Sequence, residues 1–134
     1  MALEALAMEE IAQGGLAQPY RIALERGEPN APADPKPWQL NWQPMLEQLL
    51  DDQAAGVPAS SIALAFHLAI AAVVAALADA LKLKQVLLAG GCFQNQLLLE
   101  SCIRALKVQG IDARWPQTLP CNDAAIAVGQ LIAL

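Results

Sequence analysis

The apolar positions of this chain change period several times, and each change marks an element. From Met1 to Gln13 they fall at Leu3, Leu6, Ala7 and Ile11, with Glu4, Glu9 and Glu10 between them. This spacing of three and four predicts an amphipathic helix, closed by Gly14-Gly15. Tyr20 to Leu24 reads as a short strand. Four prolines, Pro29, Pro32, Pro35 and Pro37, then exclude a helix, so 25–38 is expected to be an extended, proline-rich loop. Helical spacing resumes from Trp42 to Gln53 through Met45, Leu46, Leu49 and Leu50. Pro44 suits the first turn of that helix, and Gly56 and Pro58 end it.

The next run is apolar on every side. Ile62 to Ala78 holds one polar residue, His67. It falls somewhat short of the roughly 20 residues that span a bilayer. Pro58 and Ser60-Ser61 precede it, and Asp79 and Lys82 follow closely. A core helix from about Ser60 to Leu83 is the reading, with membrane insertion the lesser alternative. A lone histidine in such a helix is expected to be a core residue with its polar atoms satisfied.

Gln85 to Ala89 then reads as a buried strand, followed by Gly90-Gly91 and a helix from Asn95 to Gln109 that Gly110 stops. Ile111 to Trp115 reads as a second strand, Pro116 to Asn122 as a loop, and Asp123 as the cap of a last helix running to Leu134. The second half is therefore β-α-β-α, the pattern of a parallel sheet covered by helices. Ligands of such sheets sit at the carboxyl ends of the strands. Gly90-Gly91 and the Pro120–Asp123 loop can both reach that edge.

Composition narrows this picture. At 134 residues the chain has room for one domain, 1–134, and 56% of it is hydrophobic. The net charge of −5, with no cluster of Lys and Arg, argues against a nucleic-acid binder. Cys92, Cys102 and Cys121 form no Cys-x-x-Cys pair. They are expected to be buried, reduced thiols rather than zinc ligands or disulfides. No basic segment followed by an apolar core opens the chain, so a cytoplasmic location is expected.

The candidate chemistry lies in the string Val86-Leu87-Leu88-Ala89-Gly90-Gly91-Cys92-Phe93-Gln94-Asn95-Gln96-Leu97-Leu98. Glycines after a strand let backbone approach a ligand where a Cβ would block it. The N–H groups of the following helix favour an anion such as phosphate. A plain strand–helix turn is the competing reading for Gly90 and Gly91. A helix cap competes with a ligand contact for Asn95, and a helix cap competes with a metal ligand for Asp123.

The string resembles the "GG-x-F-Q-N-x-L-L" segment of the HypF family, the carbamoyltransferases of nickel–iron hydrogenase maturation. Further matches follow in family order. They are Met1–Ala7, Leu40-Asn41-Trp42-Gln43-Pro44, Ala54-Ala55-Gly56-Val57-Pro58, Phe66-His67, and Leu119-Pro120-Cys121-Asn122-Asp123 with Gly129-Gln130. The resemblance implies a partial actin/hexokinase/Hsp70-like, Kae1-like α/β lobe with a long buried helix. It implies ATP and a divalent metal as cofactors. Carbamoyl phosphate is the implied substrate, and the carbamoyl group passes to the C-terminal cysteine of a HypE-like partner to become a cyanide ligand of the hydrogenase. On the matching positions, Gly90, Gly91 and Asn95 would contact nucleotide and Asp123 would hold the metal.

By the same resemblance, the chain corresponds to the C-terminal part of the domain. The upstream histidine pair that completes the metal site belongs to the half that precedes it, which becomes an implied partner. Ala124-Ala125 stands where the family has Gly-Gly, Ala89 where a Ser is common and Gln96 where an Arg is common. Each change weakens a nucleotide site. A non-catalytic interaction module of the same fold is therefore a second expectation. A third is the sister family that makes threonylcarbamoyl-adenosine on tRNA, although it closes with "D-N-G-A".

Overall fold

The computed structural model describes residues 2–28 and 36–132. Among these described residues, five α-helices and four short strands follow one another as α1 (Ala2–Ala12), β1 (Ala23–Arg26), β2 (Trp38–Asn41), α2 (Gln43–Ala54), α3 (Ala59–Ala80), β3 (Gln85–Leu87), α4 (Gln96–Val108), β4 (Asp112–Arg114) and α5 (Ile126–Ile132). Pro29, Pro32 and Pro35 lie outside the described residues.

The long helix α3 is the axis of the fold. It is apolar enough to cross a membrane by length and composition, but α1, α2 and α4 all pack on it. Its alanines let neighbouring helices come close, and three core clusters share it. Near its start, Ala63 and Leu64 meet Ala7 of α1 and Leu97 of α4. Further along, Ala65 and Ala69 meet Tyr20 and Met45 of α2. Its last turns bring Ala71, Ala75 and Ala78 against Leu88, Leu98, Cys102, Leu106 and Ile111. The helix ends at Ala80 rather than Leu83, with Lys82 in the left-handed region at φ 55°.

The strands form two separate pairs. β1 and β2 are antiparallel, Ala23 opposite Asn41 and Arg26 opposite Trp38. The hairpin thus claims both ends of the stretch read as loop, and the expected strand at Tyr20–Leu24 starts three residues later. Tyr20 leaves the strand because its ring is buried in the α2–α3 cluster. β3 and β4 are parallel, Gln85 opposite Asp112 and Leu87 opposite Arg114.

β3 corrects the expectation of a buried strand over Gln85–Ala89. Leu87 is 67% exposed, and burial begins only with Leu88. A continuous apolar run suggests helices on both faces. Among the described residues, β3 has one strand neighbour, and α3 and α4 form its buried cluster.

Tyr20 is the single tyrosine of the chain. Its hydroxyl donates to Asp52 Oδ2 at 2.8 Å. Burial first, then that hydrogen bond and the Asp52 charge, push its pKa from 10.0 to about 12. The neutral phenol therefore stabilises the fold fully below pH 10.0, and this contribution is lost as pH rises through about 12. Tyrosinate absorbance of the folded chain is expected to titrate near the upper value, and that of the urea-unfolded chain near the lower. Equal midpoints would show that Tyr20 and Asp52 are not paired.

Candidate functional site

Two loops meet at the carboxyl ends of β3 and β4. Pairing continues past the strands as the Leu88 N–H donates to the Arg114 carbonyl at 2.7 Å, and the Gly90 N–H to the Cys121 carbonyl at 2.6 Å. A Cβ built on Gly91 would stand 4.0 Å from Asn122 Cβ. The structure thus brings Gly90 and Gly91 beside the Cys121–Asp123 segment, 30 residues away in sequence.

Gly90 adopts φ 112° and ψ 159°, a region that only glycine occupies without strain. Nothing lies within 4 Å of a Cβ built there, so the loop presents open backbone rather than a packed turn. The helix does not begin at once. A 3₁₀ turn over Gly91–Gln94 intervenes, closed by the Phe93 N–H to the Gly90 carbonyl and the Asn95 N–H to the Cys92 carbonyl.

Asn95 is the cap of α4. Its Oδ1 accepts from the Leu98 N–H at 2.8 Å, which leaves the amide nitrogen facing His67 Nε2 at 2.8 Å. Of the two readings left open for Asn95, the geometry takes the cap. The N-terminus of α4 was expected to aim free N–H groups at an anion. Instead, Glu4 of α1 supplies the anion: its Oε1 accepts from the Gln96 N–H at 2.8 Å and from the Leu97 N–H at 3.3 Å. A carboxylate at a helix N-terminus satisfies the unpaired donors and the dipole together. No local signal could have found Glu4, which is 92 residues from Gln96.

Asp123 does not cap the last helix. A 3₁₀ turn over Asp123–Ala125 precedes α5, and Asn122 caps that turn, its Oδ1 accepting from the Ala124 N–H at 3.1 Å. The Asp123 side chain is exposed and makes no hydrogen bond or ion pair among the described residues. Among the described residues, no group of three His, Cys, Asp or Glu side chains converges on a point. One carboxylate without further donors does not make a divalent-cation site, so these residues do not by themselves fit a metal.

Ala124 and Ala125 sit in a 3₁₀ turn, and Lys82 is the only non-glycine residue with positive φ among the described residues. The alanines thus need no conformation that glycine alone can adopt. Gln96 donates to Glu100 Oε1 at 2.8 Å, and Ala89 is exposed. Cys102 is buried as expected and burial pushes its thiol up to about 11. Cys92, in the 3₁₀ turn, is exposed, against expectation.

Residues 1–130 match the family described as carbamoyltransferase, Kae1-like domain, second subdomain. The chain belongs to the HypF carbamoyltransferase family. A carbamoyltransferase HypF of Synechocystis is 33% identical over 133 residues, covering 99% of this chain and 16% of the relative. A HypF homolog of Cupriavidus necator is 42% identical over 98 residues, covering 68% of this chain and 25% of the relative.

Among solved structures, full-length HypF in its phosphate- and nucleotide-bound form superposes with a TM-score of 0.72. That match is 26% identical and covers 84% of this chain and 14% of that protein. The HypF of T. kodakarensis superposes with a TM-score of 0.62 over 98% of this chain and 16% of its own, at 21% identity, which speaks for the fold alone. The α/β, Kae1-like reading of the fold is thus confirmed. The chain spans between a sixth and a quarter of the length of these curated HypF relatives.

Proposed function

We propose that this chain forms the nucleotide-facing second half of the Kae1-like domain of a HypF-type carbamoyltransferase. Gly90 and Gly91 approach the nucleotide through backbone, and Asn95 fixes their loop. The observation that carries this reading is the meeting of two loops at the carboxyl edge of the parallel strands, one with open glycine backbone at φ 112°. The solved HypF of the same fold that holds phosphate and nucleotide supports it. The whole activity, in which carbamoyl phosphate and ATP serve to carbamoylate the C-terminal cysteine of a HypE-like protein, needs the rest of such a domain. The outer edge of β3, which has no strand partner among the described residues, and the exposed Leu87 suit a companion half as partner.

Asp123 belongs to the proposed site as the exposed carboxylate of the second loop. A divalent ion held there would need its other donors from the nucleotide phosphates or from beyond the described residues, so no chemical step is assigned to it. Calorimetric titration of the chain with ATP, with and without magnesium, is the test. ATP is expected to bind, and Asp123→Ala to weaken the magnesium complex by about tenfold, the equivalent of one charge-assisted contact. A loss seen only with magnesium present assigns the carboxylate to a metal. A folded wild-type chain that ignores millimolar ATP would favour the second reading, an interaction module with the HypF fold, which the absence of converging metal donors among the described residues also suits.

A further inference from the structure

His67 is 2% exposed in the middle of α3, and the nucleotide reading gives it no role. Its Nδ1 lies 2.7 Å from the Ala63 carbonyl oxygen. A carbonyl only accepts, so Nδ1 carries the hydrogen. The other nitrogen, Nε2, is then the acceptor and takes a hydrogen from Asn95 Nδ2 at 2.8 Å. The amide cannot be turned round, because Asn95 Oδ1 is needed by the Leu98 N–H. One chain of donors and acceptors therefore runs from α3, through the imidazole and the amide, to the first turn of α4. Each member admits one orientation.

Around this chain, α3 meets α4 through apolar side chains such as Leu64, Leu97, Ala71 and Leu98. Such contacts are strong but not directional. A leucine at position 67 would fill the same volume without any polar group to satisfy. The buried imidazole adds orientation instead. Asn95 ends the Gly91–Gln94 turn, so fixing Asn95 fixes the near end of the diglycine loop.

We infer that His67 is a positioning residue: through Asn95 it holds the diglycine loop in the orientation in which its backbone meets the nucleotide. This rests on the nucleotide reading of Gly90 and Gly91. The test compares wild type, His67→Leu, His67→Gln and Asn95→Ser by ATP titration and by hydrogen exchange at the Gly90 and Phe93 amides. Those amides close the loop onto Cys121 and Gly90 itself.

His67→Leu is expected to weaken ATP binding about tenfold and to speed exchange at both amides. His67→Gln, whose amide oxygen can replace Nε2 as acceptor, is expected to recover most of both. A folded His67→Leu chain with wild-type affinity and exchange overturns the inference, as does a His67→Gln chain no better than the leucine variant. If the wild type binds no ATP, the nucleotide reading fails by itself. Exchange then decides the positioning role, upheld by fast loop exchange in His67→Leu that His67→Gln reverses and rejected without it. Should His67→Leu not fold, Asn95→Ser decides by the same two readouts, since a serine keeps the cap but loses the link to His67.

Discussion

Leu106→Ala is expected to lower the unfolding free energy by about 2–5 kcal/mol, the range for deleting a fully buried leucine side chain. Leu106 is fully buried, beside the equally buried Cys102. It joins α4 to Ala71, Ala75 and Ala78 of α3 and to Leu88 and Ile111 beside the parallel strands. The buried neighbours across the contact on α3 are alanines, with the half-buried Ile70 and Val74 beside them. Alanine methyl groups are carried on helix backbone and cannot swing into a cavity, so the place of the cost within the range is set by how far Ile70 and Val74 repack. Urea denaturation would show the change as a lower midpoint at constant slope. A loss under about 1 kcal/mol would mean that α4 slides toward α3, and that this cluster does not set the distance between them.

The same cluster shows why much of the fold was legible in the sequence. Leu98, Cys102 and Leu106 recur at the helical spacing of one face, and an interior contact of this kind leaves a periodic trace. Pro44, at the start of α2, and Gly110, just beyond α4, mark ends by backbone chemistry that no tertiary contact overrides. The failures have a different origin. Tyr20 looks like a strand residue by type, but its place is set by Asp52, 32 residues on. Val86-Leu87-Leu88 has the composition of a strand covered on two faces, whereas Leu87 is largely exposed. Composition reports what a residue suits, and burial depends on what stands beside it.

The site divides the same way. That two glycines follow a strand is local information, and the positive φ and open surroundings of Gly90 accord with it. That the α4 N-terminus is already answered by Glu4, and that the Asn95 amide is answered by His67, are contacts over 92 and 28 residues. No motif encodes them. The cap at Asn122 was within reach of the sequence, since Asn suits a cap as well as Asp and stands one residue earlier. What no local signal shows is the 3₁₀ turn, which delays α5 to Ile126 and moves the cap off Asp123.

Gly90→Val is expected to combine a stability loss of about 1–3 kcal/mol with a fall in ATP affinity of about a hundredfold. The two effects have separate causes. At φ 112° and ψ 159° any Cβ meets its own backbone, whatever space surrounds it. The valine must strain or turn the loop, and turning it draws the Gly90 N–H from the Cys121 carbonyl. The affinity loss comes from the side chain itself, which enters the open space that the nucleotide would occupy.

Gly110→Ala separates the two. Gly110 also has positive φ, at 71°, and nothing within 4 Å of a built Cβ. It lies at the far end of α4, roughly 20 Å from the diglycine loop along the helix axis. This variant should lose stability comparably, by about 1 kcal/mol, and keep its ATP affinity. If both variants bind ATP like the wild type, Gly90 is a turn residue and no more. If both lose affinity together, the loss follows stability and says nothing for contact. Only a loss confined to Gly90→Val places the nucleotide against that backbone.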